Sequence, residues 1–264
     1  MRLPKLYNSI RNILSSKEAK VPIEIFVRHC HLSDASSHKK RPEGFSREKC
    51  NQNFLSSIDG QEGVNVTFFL DTFYPMQKRH FILDQDLYPV VQMNEGNEGG
   101  SFCFMLEYVL SQNFSPDTIV YFLEDDYLHR NGWIDVLREA IDLSGIDYVT
   151  LYDHKDKYFL PQYKGLKSEL FLSHGAHFRT TPSTTNTYAM KFSTLQRDKE
   201  IHFAFSRGKK ITEDHAKFLA LSSKGARLIS PIPGWSCHME PEYMSPCVDW
   251  DSFLQEDLNS SIVY

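Results

Sequence analysis

Thr118–Leu123 reads TIVYFL and runs without a break into Glu124-Asp125-Asp126, then Tyr127-Leu128-His129-Arg130-Asn131-Gly132-Trp133. Uncharged and rich in β-branched, aromatic and aliphatic residues, the first six predict a strand buried on both faces, as in the middle of a parallel sheet. Three carboxylates in succession at its end repel one another and raise each other's pKa. A divalent cation would neutralise them. Hard oxygen donors suit Mg²⁺ or Mn²⁺, which take one or two protein carboxylates and complete their shell from water and phosphate. The plain alternative is a solvated acidic loop leading to a helix that starts near Gly132.

Working outward from this strand, short apolar runs alternate with helical patterns. Val21–Val27, Val64–Leu70, Val90–Val91, Asp147–Tyr152, Thr185–Lys191 and Arg227–Pro231 read as further strands. Phe45–Ile58, Ser101–Leu110, Asn131–Leu143 and Thr212–Ser223 read as helices, the last with Thr212 as its N-cap. The segment between the first strand and the first helix, HLSDASSHKKRPEG, reads as a polar loop. This alternation predicts an α/β fold, a Rossmann-type α/β/α sandwich around a mostly parallel sheet. Ligands in such folds bind outside the carboxyl ends of the strands, so polar residues just after each apolar run are the ones to watch.

Composition bounds the function. Of 264 residues, 41% are hydrophobic, 13% aromatic and 24% charged, the usage of a globular chain. A formal charge of −5 disfavours nonspecific nucleic-acid binding, which draws on a basic surface. No apolar run approaches the ~20 residues of a membrane span, and residues 1–20 lack the apolar stretch of a signal peptide. Five cysteines without a C-x-x-C pair argue for reduced, mostly buried thiols and a cytoplasmic protein. Residues 1–20 carry five Lys/Arg against one Glu, with Leu3, Leu6, Ile10 and Leu14 at helical spacing. They predict a basic amphipathic helix, either packed as an end helix or resting on the inner face of a membrane. After Arg227 there is no Lys or Arg, and an acidic tail is expected to wrap a single domain spanning 21–264.

VYFLEDDYLHRNGW resembles the strand and E-D-D element of GT-A glycosyltransferases, in the form similar to that of N-acetylglucosaminyltransferases. The resemblance implies a GT-A-like fold, with Asp126 as metal ligand for Mn²⁺ or Mg²⁺ and Glu124 and Asp125 beside the ribose and sugar of a nucleotide-sugar donor. By the same resemblance Arg28 lies on the nucleotide-entry strand. Asp71 falls where an acid reads the base or ribose, and Gly96–Ser101, with Gly99 and Gly100, lies beneath the donor. Adjacent acids replace the spaced D-x-D, which leaves the ligand among them open. The resemblance covers most of residues 21–240 in order.

Thr212-Glu213-Asp214-His215 opens a helix, where acids are favoured by the helix dipole. Inverting GT-A enzymes resemble this too, and the likeness implies Asp214, or else Glu213, as the base that deprotonates an acceptor hydroxyl. It also makes His238, in Pro233-Gly234-Trp235-Ser236-Cys237-His238, a second metal ligand. His174 and His177 form an H-x-x-H without a third ligand, which is no zinc signature. Thr180–Asn186 lines the acceptor side or is an ordinary turn.

The leading expectation is a metal-dependent inverting glycosyltransferase acting on a glycan or glycolipid acceptor. A nucleotidyltransferase is the rival enzyme, although Arg28-His29-Cys30-His31 replaces the Gly-rich loop such enzymes carry after their first strand. A carbohydrate-binding protein on a degenerate scaffold is the non-catalytic rival.

Overall fold

The computed structural model describes residues 20–30, 39–74 and 78–255. Apart from Lys20, the expected N-terminal amphipathic helix lies outside them, as does the acidic end of the chain beyond Gln255.

A nine-stranded sheet organises the molecule. Its strands are β1 (Ile23–Cys30), β2 (Val64–Asp71), β3 (Val90–Met93), β4 (Ile119–Glu124), β6 (Tyr148–Val149), β7 (Leu170–Leu172), β8 (His177–Thr180), β9 (Tyr188–Lys191) and β10 (Leu228–Ile232). The spatial order is β3-β2-β1-β4-β9-β6-β10-β8-β7. The parallel pairs are β1 with β2, β1 with β4, β2 with β3 and β6 with β10, while β9 lies antiparallel between β4 and β6. β8 is the other reversed strand. The expected mostly parallel sheet is therefore present.

Strand side chains alternate between faces, and the core divides accordingly. One face carries Ile25, Val27, Phe68, Tyr121 and Leu123, packed with α1 (Arg47–Ile58) and α3 (Trp133–Ile141). The other carries Phe26, Phe69, Phe122, Tyr188 and Met190, packed with α2 (Glu98–Leu110), α5 (Phe192–Ala204) and α6 (Asp214–Ser223). Burial on both faces explains the unbroken apolar reading of β4. Trp133 anchors α3: its ring is fully buried against Tyr121 and Phe54, and its indole N–H donates to Ser57 Oγ at 2.8 Å. A Trp buried this way needs such an acceptor.

Several expectations shift. The residues after the acid triplet are not a loop: β5 (Tyr127–His129) pairs antiparallel with β11 (Ser236–His238) in a separate two-stranded sheet. The strand foreseen over Asp147–Tyr152 is only two residues long, and β7 and β8 are strands the sequence reading did not include. Thr212 is not the N-cap of α6. Glu213 takes that place without a side-chain cap bond, and Thr212 Oγ1 donates to Glu98 instead. The acidic tail is also less solvated than foreseen. Trp250 and Leu254, the latter on the short α7 (Ser252–Gln255), are buried in the core. A further short helix, α4, spans Asp156–Phe159. No helix among the described residues is long and apolar enough to cross a membrane.

Candidate active site

A cavity of about 400 Å³ opens at the carboxyl ends of β1, β2, β3 and β4 and is closed laterally by the start of α6. Parallel strands place these ends together, so residues far apart in sequence meet there. Arg28, Asp71, Glu124, Asp125, Asp126, Asp214 and His238 all line it. Gly99, Gly100 and Glu213 do not.

Each acid of the triplet has a cationic partner from another segment. Glu124 Oε1 accepts from Arg28 at 3.0 Å, and the same guanidinium donates to the Glu98 carbonyl at 3.2 Å. Asp125 Oδ1 accepts from Arg47 Nε at 3.0 Å, and its Oδ2 from the Cys30 amide at 3.4 Å. Asp126 Oδ2 accepts from Arg41 at 2.7 Å and faces His238 Nε2 at 3.0 Å. Burial raises Glu124 and Asp125 against the pull of Arg28 and Arg47. Burial also opposes the charge on Asp126, yet His238 and Arg41 together hold it far below the usual carboxylate range. The repulsion that seemed to demand a cation is thus relieved largely within the protein.

The pair that suits a metal is Asp126 with His238. It offers one carboxylate and one imidazole, acceptable to Mn²⁺ or Mg²⁺ whose remaining positions go to water and phosphate. The His238 ring is stacked on Tyr127 at 5.2 Å, and its other nitrogen lies 3.5 Å from Glu240, which fixes the ring. Among the described residues no three His, Cys, Asp or Glu side chains converge on one point, so a bound ion would draw most of its ligands from outside the protein.

Asp71 has little capacity left for a ligand. Its Oδ1 accepts from the Phe73 and Glu95 amides, and its Oδ2 from the Gly96 amide and Ser101 Oγ. It ties the end of β2 to the turn before α2. The two glycines of α2 are outside the cavity lining. A Cβ on Gly99 would collide with the backbone oxygens of Lys209 and Ser206, whereas one on Gly100 would meet the Glu95 side chain. The close approach that requires glycine at 99 is therefore helix against loop. Of the two acids at α6, Glu213 is exposed and paired with Lys209 at 2.9 Å. Asp214 lines the cavity, with Oδ1 2.9 Å from Lys217 Nζ. Burial raises Asp214, with Lys217 acting in the opposite direction. His174 and His177 are exposed on the β7–β8 hairpin, outside the cavity lining. Of the Thr180–Asn186 segment, Thr185 reaches the wall, where its Oγ1 bonds the Tyr127 hydroxyl at 2.6 Å.

Several lining residues escaped the sequence reading. Lys39 and Arg47 come from the segment read as a polar loop and from the helix after it, and Arg41 reaches Asp126 from the same loop. A signal was present: a basic residue directly after the N-cap Ser46 is disfavoured by the helix dipole and implies a carboxylate partner elsewhere. His29 is buried with neither ring nitrogen hydrogen-bonded and only a 3.8 Å approach to Asp125; burial, then His80 and Arg47, hold it neutral.

No protein-family model and no curated protein matches the sequence. Among solved structures, the chain is similar to residues 1–349 of S. aureus TarS, with 14% identity and a TM-score of 0.47 over 80% of this chain; it spans 58% of the TarS chain. It is also similar to CMP:2-keto-3-deoxy-manno-octonic acid synthetase complexed with CTP, with 12% identity and a TM-score of 0.47 over 81% of this chain and 92% of that one.

Proposed function

We propose that the chain is an inverting glycosyltransferase that moves a sugar from a nucleoside-diphosphate donor to a hydroxyl of a glycan or glycolipid. One observation carries this reading: the acid triplet at the end of β4 and Asp214 at the start of α6 line the same cavity. On this reading the first group meets a donor's diphosphate and sugar, and the second, paired through Oδ1 with the buried Lys217, faces the acceptor.

Asp126 and His238 would hold Mn²⁺ or Mg²⁺, which, when bound, offsets charge on the leaving diphosphate as a Lewis acid. Arg28 and Arg47 line the same cavity and fix Glu124 and Asp125 in place, so that the polar surface meeting the donor is prearranged. The acceptor oxygen attacks the anomeric carbon as the bond from that carbon to the phosphate oxygen breaks. The bonding electrons leave with the nucleoside diphosphate, and the hydroxyl proton passes to Asp214. Burial raises the affinity of Asp214 for that proton, which suits a base.

The test is product release from a panel of nucleotide sugars with Mn²⁺. Free nucleoside diphosphate from this panel supports the proposal; pyrophosphate from a parallel panel of nucleoside triphosphates with sugars or sugar phosphates supports nucleotidyl transfer, and neither product supports a binding protein. Asp214→Asn should lower turnover by roughly 10²–10⁴-fold, the usual worth of a general base. Undiminished turnover in that variant would remove Asp214 from the mechanism.

A further inference from the structure

Lys217 is fully buried, one turn into α6 on the face turned toward the sheet. A buried ammonium is tolerated only when its protons find acceptors. Here Nζ donates to Asp214 Oδ1 at 2.9 Å and to Asn186 Oδ1 at 2.6 Å. The rings of Phe102, Tyr188 and Phe218 surround it at 4.8, 5.0 and 5.6 Å, a cation–π cage formed by α2, β9 and α6. Asn186 is itself committed: its Nδ2 donates to Glu98 Oε1 at 3.0 Å and to Thr212 Oγ1 at 2.6 Å. The Glu98 carbonyl in turn receives Arg28.

Polar contacts therefore link Arg28, through the backbone and then the side chain of Glu98, to Asn186, Lys217 and Asp214. Lys217 engages Oδ1 of Asp214 and ties it to this buried network. Thr212 also hydrogen-bonds this carboxylate, which still lines the cavity.

We propose that Lys217 is a positioning residue for the reaction, fixing the carboxylate of Asp214 at the cavity wall and favouring its ionised form. This rests on the reading of Asp214 as the base. The charged and titratable groups around Asp214 are Lys217 on its own helix, Glu98 from α2, Arg28 from β1, Glu124 from β4 and Tyr188 from β9. Lys217 is the cation in direct contact with it. Its removal makes the ionised carboxylate less favourable, so Asp214 holds its proton to higher pH.

The experiment compares wild type, Lys217→Met and Asp214→Asn. Its readouts are the pH profile of kcat/KM, kcat itself and calorimetric binding of whichever of UDP, GDP or CDP the wild type takes up with Mn²⁺. For Lys217→Met, kcat should fall about tenfold or more and the acid limb should move up by about one pH unit. Binding of the diphosphate should be unchanged. A fall in kcat with an unmoved acid limb would assign Lys217 a purely structural role and overturn the proposal, as would unchanged kinetics. If Lys217→Met does not fold, Asn186→Ser, which keeps the lysine but removes its second acceptor, is read by the same assays and decides the matter. Full activity in Asp214→Asn would instead defeat the underlying assignment of the base. An inactive Asp214→Asn beside an unaffected Lys217→Met would defeat this inference alone.

Discussion

Replacing Gly99 and Gly100 in turn by alanine separates two accounts of the turn that opens α2. If these glycines let backbone approach a donor, either methyl group would weaken donor binding and leave the fold intact. The structure says otherwise. The Cβ of Gly99→Ala would lie 2.5 Å from the Ser206 carbonyl oxygen and against that of Lys209, both backbone atoms that cannot rotate away. The Cβ of Gly100→Ala would meet Glu95 Oε2 at 2.9 Å, the end of a flexible side chain. Both variants gain alanine's helix propensity, so that contribution largely cancels between them. What remains is overpacking at position 99, about 1–3 kcal/mol. At ~2–4 °C per kcal/mol for a chain of this size, Gly99→Ala should melt roughly 2–12 °C below Gly100→Ala. The displaced loop, Ser206–Lys209, leads directly to Asp214, and the Glu98 amide bonds the Lys210 carbonyl. Turnover of Gly99→Ala should therefore fall at temperatures where it is still folded. Scanning calorimetry and the nucleoside-diphosphate release assay read the two effects. Equal melting temperatures with a raised donor KM confined to Gly99→Ala would refute the packing argument.

Other consequences are as direct. Asp153 is fully buried and accepts from Arg179 at 2.7 Å and from the Tyr158 hydroxyl at 2.6 Å. Asp153→Ala should cost about 3–5 kcal/mol in urea unfolding, and a loss below about 1 kcal/mol would contradict a desolvated pair. Arg41→Ala removes one of the two partners of Asp126 Oδ2, so Mn²⁺ titrated calorimetrically should bind about 10–100-fold more tightly; unchanged or weaker binding would show that Arg41 does not compete for this oxygen. Burial lowers His129 and His202 to about 3. Because unfolded histidine takes up a proton near 6.5, the unfolded state binds more protons below that pH. Stability should thus be complete above pH 6.5 and decline toward pH 3 by up to ~1.4 kcal/mol per pH unit for each histidine. Urea midpoints that stay flat from pH 7 to 5 would sink this.

Much of the sheet was legible because burial on both faces writes itself as an uninterrupted apolar run. β4 is read this way, and β1 and β2 as β-rich runs interrupted by Glu24 and by Asn65 and Thr67. The two-stranded sheet of β5 and β11 was not legible. Tyr127-Leu128-His129 pairs with Ser236-Cys237-His238, more than a hundred residues away, and nothing local announces such a partner. At the candidate site the same division holds. Asp214 stood out as an acid at a helix start, with its neighbour Glu213 as the alternate, and the chain path turns the first to the cavity and the second to solvent. Asp71 and Gly99 line up with a donor in sequence and are occupied by the protein itself in space. Lys217 sat one turn from Asp214, a spacing that brings two helical residues together, inside an apolar segment where a lysine must have a partner.

The reversed course of β9 has a consequence for how economically the cavity is assembled. Asn186 and Thr187 stand beside the cavity as the chain enters β9; the strand then descends to Lys191, and α5 begins at the next residue. The helix climbs back, so that 27 residues after Thr187 the chain delivers Asp214 to the level it had just left. A strand running the other way would have needed a crossover to bring the same two walls together. A single change of direction lets one hairpin-like excursion of the chain bring both Thr185 and Asp214 to the chamber's lining.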